Sequence, residues 1–257
     1  VSNNFLHLPE FLANSKYVNP ATSENTPAHL AFNHRGDLST WFATHPAHAG
    51  AAFGFFATQR ADQQGCFTHA PLAEYALQQS DQDKERVLLC DVGGGAGHQC
   101  LAFRAQRPEL KGLLAVTELP IMIDQQDQEA LRSEDIFSLA DDFFQAGDYP
   151  TVVQGAKMYY LRNILHDWND EQSVKILRRI RRAAAEDSVL LVDEIMIPDV
   201  GASIAACNMD LSMMTISSAE RSASQWRALL AEGGFGVEKT WCYDEDRGDH
   251  LIIAVPT

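Results

Sequence analysis

Leu88-Leu89-Cys90-Asp91-Val92-Gly93-Gly94-Gly95-Ala96-Gly97 is a short apolar run that breaks into a glycine turn. Residues 87–92 read as a strand, and the turn hands the chain to a helix over 97–106. Gly93, Gly94, Gly95 and Gly97 permit backbone angles and close approaches that a Cβ would block. In an open α/β sheet such a turn lies at the carboxyl edge, where ligands bind. The spacing is GGGxG and not the dinucleotide fingerprint GxGxxG, so a pyrophosphate is not required of the ligand. Glu118 ends the second strand candidate, where a carboxylate accepts both ribose hydroxyls. A glycine turn followed by a terminal acid fits an adenosine ligand with or without phosphates. The plain alternative is a tight turn that serves packing alone.

Outward from this turn, strand candidates fall at 113–117, 157–162, 189–195, 235–242 and 250–255. Helices are predicted over 121–130, 171–185 and 222–232, with Asp170-Glu171 as a start signal and Gly233-Gly234 as a stop. Short apolar strands alternating with amphipathic helices predict a mostly parallel sheet covered on both faces. The charged segment 244–249 predicts a hairpin-like antiparallel finish at the sheet edge. Upstream, residues 1–30 read as a loosely helical lead-in. Two short helices split by His45-Pro46 are expected over 37–60, and another helix over 69–80. The division is a helical N-terminal segment, 1–80, and an α/β domain, 81–257.

The chain has 257 residues, 46% of them hydrophobic, and a formal net charge of −15. That charge argues against a nucleic-acid partner, because phosphate binding needs clustered Lys and Arg. The densest basic run, Arg178-Arg179-Ile180-Arg181-Arg182, reads as a solvated helix face near a C-terminus. Cys66, Cys90, Cys100, Cys207 and Cys242 are odd in number and form no CxxC pair. A reducing, cytoplasmic setting is therefore expected, and no zinc site. No apolar stretch approaches the ~18 residues of a membrane span. No secretory signal is visible at the N-terminus.

The second informative stretch is Tyr159-Tyr160-Leu161-Arg162-Asn163-Ile164-Leu165-His166-Asp167-Trp168. It reads as a later strand of the same sheet, ending in a histidine. A neutral imidazole with a pKa of about 6.5 can take the proton of an acidic hydroxyl. A lone histidine here could instead cap a helix or fill a core edge. Met209, Met213 and Met214 lie in a helical stretch; alone they read as core, although thioethers also adapt to flat rings.

These motifs, in this order, resemble the S-adenosylmethionine-dependent small-molecule O-methyltransferases of plants and fungi, the caffeate and flavonoid type. The pattern is nearest the fungal branch acting on polyketide phenols. The matching segments are Asp91-Val92-Gly93-Gly94-Gly95-Ala96-Gly97, Glu118-Leu119-Pro120, Asp142-Phe143-Phe144 and the Tyr159–Trp168 run, followed by Glu194-Ile195-Met196-Ile197-Pro198 and Glu220-Arg221-Ser222. The likeness covers about residues 30–257. It implies a Rossmann-like class I methyltransferase fold: a mostly parallel seven-stranded sheet, helices on both faces and an antiparallel last strand.

The resemblance also implies roles. Asp91, Gly93, Gly94, Gly95, Glu118, Leu119, Asp142, Phe143 and Arg162 would bind S-adenosylmethionine, which leaves as S-adenosylhomocysteine. Within that set, Glu118 takes the ribose, Asp142 and Phe143 the adenine, and Arg162 closes over the cofactor. His166 matches the catalytic base, flanked by Glu194 and Glu220. One of these acids would fix the imidazole tautomer and the other line the acceptor pocket. Asp167, Trp168, Met209, Met213 and Met214 would meet the aromatic acceptor, although Asp167 also reads as a local structural residue, and Asp193 as structural. No metal is implied. Ser217-Ser218-Ala219 replaces the Gly-Gly pair common in the family, which leaves the acceptor open. Full family members carry an upstream winged-helix-like dimerisation domain, so a homodimer is implied for the full-length form. This chain starts near the end of that domain; truncation, proteolysis and a natural short form all remain as explanations. If the missing part covers them, Trp41, Phe42, Phe53, Phe55 and Phe56 should form an exposed aromatic area. The alternative is a protein of the same fold that keeps the cofactor as a bound cation for rearrangement or cyclisation, or that only binds it.

Overall fold

In a computed structural model the described residues are 2–20, 22, 24–36, 38, 41, 44, 45, 47, 48, 66–68, 70–75 and 86–257. The N-terminal segment opens with helices α1 (Ser2–Asn14) and α2 (Pro27–Phe32). Hydrogen bonds tie it to the rest of the chain. Ala28 N–H donates to the Thr215 carbonyl at 3.1 Å, and Asn4 Nδ2 donates to Thr215 Oγ1 at 3.2 Å. Most of the helices expected over 37–60 and 69–80 lies outside the described residues, including Phe42, Phe53, Phe55 and Phe56. Trp41 is buried rather than exposed, with its ring stacked on Phe32 and on His45. Within 69–80, Leu72–Tyr75 is a single 3-10 turn.

From Val87 the chain alternates strand and helix. The order is β1 (Val87–Val92), α3 (His98–Gln106), β2 (Leu113–Glu118), α4 (Pro120–Ile123), α5 (Gln128–Ser133), β3 (Ile136–Ala140) and β4 (Met158–Arg162). It continues with α6 (Asp170–Ala183), β5 (Val189–Ile197), α7 (Ile204–Met214), β6 (Arg221–Ser222), α8 (Ala223–Glu232), β7 (Phe235–Asp244) and β8 (Asp249–Pro256). The strands run in the order β3-β2-β1-β4-β5-β8-β7, and β6 pairs with the end of β5. The first five in that order are mutually parallel, whereas β8 is antiparallel to both β5 and β7.

The antiparallel hairpin expected at the sheet edge is present, with β8 against β5 and β7 at the edge. Two expectations change. The seven-stranded path carries an eighth strand, the two-residue β6. The single helix predicted over 121–130 is two, because Asp127 caps a new start by accepting the Ala130 N–H at 3.0 Å.

β4 shows why both faces need cover. Tyr159 and Leu161 pack into one apolar layer with Val174, Ile180 and Trp226, while Met158 and Tyr160 enter the opposite layer with Phe67 and Phe103. Helix α6 begins at a capped turn, where Asn169 Oδ1 accepts the Gln172 N–H at 3.0 Å. Its basic run is not uniformly solvated: Arg179 is buried, against the sequence expectation. Helix α8 starts with a capping box between Ser222 and Gln225 and buries Trp226 completely. Trp226→Ala is expected to cost ~3–5 kcal/mol of stability, read as a lower urea midpoint at unchanged slope.

Candidate active site

Parallel strands bring their carboxyl ends to one edge, and the predicted cofactor residues collect there. Gly93 sits at φ +71°, with its N–H donating to the Thr117 carbonyl at 2.8 Å. A Cβ on it would come within 2.7 Å of Ile164 Cδ1, so the turn closes against the end of β4. A Cβ on Gly94 would strike the Asp91 carboxylate, which lies buried beneath the turn. Gly95, at φ +56°, faces open space. Its N–H donates to Glu118 Oε2 at 3.0 Å, and Glu118 Oε1 accepts the Leu119 N–H at 2.7 Å. A half-buried carboxylate acceptor beside an open glycine cradle suits a ribose and its attached chain. Leu119 is exposed at the start of α4.

Downstream of β3, Asp142 Oδ1 accepts the Phe144 N–H at 2.8 Å and folds the loop. Phe143, Phe144 and Trp168 form an edge-to-face group, with centroids 4.9 Å apart for Phe143–Phe144 and 4.6 Å for Phe144–Trp168. Trp168, expected at the acceptor, therefore stands against Phe143, which is expected to meet adenine. Arg162 is buried, 3.7 Å from Asp193, and donates to Gln99 Oε1 at 3.0 Å. Asp193 also accepts the Tyr160 and Tyr243 hydroxyls, each at 2.5 Å, in line with its structural reading.

His166 lies in a 3-10 turn, Leu165–Asp167, just past β4, and is buried. Its Nδ1 is 2.9 Å from Glu220 Oε1 and 3.7 Å from Glu194 Oε2. Both acids thus face one ring nitrogen. On the other side, Nε2 is 3.5 Å from Asp167 Oδ1, whose side chain is partly exposed. Glu194 lies inside β5, not at its end, and its side chain is fully buried. Its Oε1 accepts the N–H groups of Ile164, Leu165 and His166 at 3.0, 2.8 and 3.4 Å. Glu220 holds the hydrogen bond to the imidazole, and its own N–H donates to Asp210 Oδ1 at 3.0 Å.

Arg221, beside Glu220 in the Glu220-Arg221-Ser222 segment, has a role that the motif alone does not assign. It pins the histidine turn, donating to the carbonyls of Leu165 and Trp168 at 2.8 Å each and to Asp170. The signal was its place beside Glu220; its targets lie 53 and 56 residues upstream. Met213 is buried, and Met209 and Met214 are half-buried on α7.

Burial alone would push His166 towards neutrality. Glu194, Asp167 and Glu220 outweigh it and hold the imidazole up at about 10. Burial raises Glu194 to about 7, against the opposing pull of His166. The three carboxylates therefore favour the protonated imidazole. One ligand atom from each of His166, Glu194 and Glu220 lies within 4.8 Å of the others, a closeness that cysteine spacing could not reveal. The 2.9 Å Nδ1–Oε1 contact is that of a hydrogen-bonded imidazole.

Comparison with known proteins shows the family and the fold. Residues 55–236 match the O-methyltransferase domain family. The O-methyltransferase ucdC of Aspergillus ustus is 36% identical over 97% of this chain, and the demethylsterigmatocystin 6-O-methyltransferase of Aspergillus parasiticus is 33% identical over 97%. The chain spans 63% and 61% of their respective lengths. A solved structure described as a pericyclic reaction enzyme superposes with a TM-score of 0.89 at 30% identity, covering 99% of this chain and 64% of that one. LepI in complex with SAM gives 0.88 at 30%, with the same coverage. By its sequence, its sheet and its glycine edge, this chain belongs to the O-methyltransferase domain family.

Proposed function

We propose that the protein binds S-adenosylmethionine at the glycine edge and moves its methyl group to a hydroxyl of a phenolic or polyketide-like aromatic, with His166 as the base. The observation that carries this is a buried imidazole held by Glu220 beside the edge that presents Gly95 and Glu118. When bound, S-adenosylmethionine supplies an electrophilic methyl on a sulfonium, whose positive charge opposes protonation of a nearby imidazole.

The chain's own residues do the rest. Gly93, Gly94 and Gly95 admit the cofactor's amino-acid portion above Asp91, Glu118 takes the ribose, and Asp142 and Phe143 hold the adenine. Leu119 borders the ribose side, and Arg162 flanks the cofactor. Glu220 fixes Nδ1 as the hydrogen-bonded nitrogen, which leaves Nε2 to receive the hydroxyl proton. Glu194 sets the direction of the turn through its three backbone partners. The half-buried Met209 and Met214, together with Asp167, suit the wall against a flat acceptor. Neighbours of this fold include a pericyclic reaction enzyme. The raised pKa of His166 favours a second reading on that line, in which the imidazolium donates a proton or a hydrogen bond and no methyl moves. For the full-length form we also propose a homodimer.

Turnover separates the two readings. With S-adenosylmethionine and a panel of phenols and anthraquinone-like acceptors, S-adenosylhomocysteine should appear in proportion to methylated product. His166→Ala should lose ~10²-fold or more of it. Product without S-adenosylhomocysteine would favour the second reading.

NMR titration of the ligand-free protein should place His166 well above an ordinary histidine. Glu194→Gln keeps a carbonyl for the three N–H groups but removes the charge, so the titration point should fall. The linkage has a definite sign. A folded-state pKa raised to about 10 stabilises the fold fully below about 6.5, and that stability is lost as pH rises through 10. Glu194, raised to about 7, gives stability below about 4.5 that is lost as pH rises through 7. Urea stability should therefore decline from about pH 5 to about pH 10, less steeply in Glu194→Gln.

A further inference from the structure

Arg179 belongs to a basic run, yet only 2% of it is exposed, while the side chains of Arg178 and Arg182 on the same helix are 58% and 54% exposed. Its guanidinium is spent on one loop, 141–148. Nη1 and Nη2 meet both carboxylate oxygens of Asp141, at 2.5 and 2.8 Å. Nη1 also donates to the Asp142 carbonyl at 2.9 Å, Nη2 to the Asp148 carbonyl at 3.2 Å, and Nε to the Gly147 carbonyl at 3.2 Å. The cation lies 4.0 Å from the ring centroid of Tyr149, where the loop ends. Asp141 is tied from the other side, its N–H donating to the Glu118 carbonyl at 2.9 Å.

A buried ion pair adds little stability over apolar residues of the same size. A planar fork with several donors instead fixes orientation, which a lysine ammonium does not. The loop so fixed carries Asp142 and Phe143. Phe143 Cε1 lies 3.6 Å from where a Cβ on Gly93 would stand, so a shift of the loop moves this ring relative to the glycine turn. Without the clamp, the chain would order the loop at the moment of binding and lose affinity by that amount.

We propose that Arg179 is a positioning residue: with Asp141 it presets the 141–148 loop for the adenine ring and so sets the affinity for adenosine-containing ligands. This rests on Asp142 and Phe143 being the adenine contacts. Arg179 reaches the ligand only through the loop, so its loss should weaken every ligand that carries adenosine by a similar factor.

The test is titration calorimetry of S-adenosylhomocysteine and of adenosine against the wild type, Arg179→Lys and Asp141→Asn, each checked for folding by circular dichroism. Arg179→Lys should raise Kd about tenfold for both ligands, and Asp141→Asn in the same direction. Phe143→Ala should cost less affinity in the Arg179→Lys background than in the wild type, because an unset loop has already lost part of that contact. Kd values within about twofold of wild type in both folded variants would overturn the proposal. So would independent, multiplying effects of Arg179→Lys and Phe143→Ala, the signature of a purely structural arginine. If Asp142→Ala and Phe143→Ala alone leave S-adenosylhomocysteine affinity unchanged, the adenine reading itself fails and the proposal falls with it; these single variants identify that cause.

Discussion

Two buried carboxylates, Glu194 and Glu220, face one imidazole nitrogen, and the arrangement of the candidate site follows from that crowding. Charge inside a protein is tolerated only where it is hydrogen-bonded or paired. Glu220 has His166. Glu194 has the three N–H groups of the turn that carries His166. The histidine is thus both the counter-charge of the cluster and the tip of a backbone turn that the cluster shapes. Arg221 closes the arrangement from behind through the carbonyls of the same turn. The side chain assigned the proton and the residues that aim it form one electrostatic unit.

The sheet makes the unit useful. β1, β2, β3, β4 and β5 run parallel, so the Gly93 turn, Glu118, the Asp141 loop and the His166 turn all leave from one edge. Ion pairs and hydrogen bonds then fasten each exit: Glu118 to Gly95, Asp141 to Arg179, and Arg162 to Asp193 and Gln99. Loops on such an edge have few apolar contacts of their own, and these polar ties supply the order that a core supplies elsewhere.

The parts of the fold legible in the sequence were those decided locally. β1, β4 and β5 are near-continuous apolar runs, and the glycine turn and Glu118 stand at strand ends, where their chemistry is readable. β3 escaped notice because Ile136–Ala140 is mostly half-buried beyond β2 and includes Ser138. β6 has two residues and exists only through its pairing with β5. His166, Glu194 and Glu220 were readable as a group from the resemblance, but the division of labour between the two acids was not. Glu194 answers to backbone N–H groups, which no side-chain pattern encodes. Arg179 was misread for a related reason: a basic run looks solvated until its partner is known, and Asp141 lies 38 residues upstream.

β8 follows β7 in sequence but is an inner strand in space, lying between β5 and β7. During synthesis, β5 exposes an unpaired edge until residues 249–256 have left the ribosome. The histidine cluster leans on this strand, because Glu194 of β5 pairs with His250 of β8. Completion of the sheet beneath the site thus waits on a strand made well after Glu194. A nascent chain stalled before residue 249 would hold a formed glycine turn beside an open sheet edge, a species prone to pairing with its neighbours.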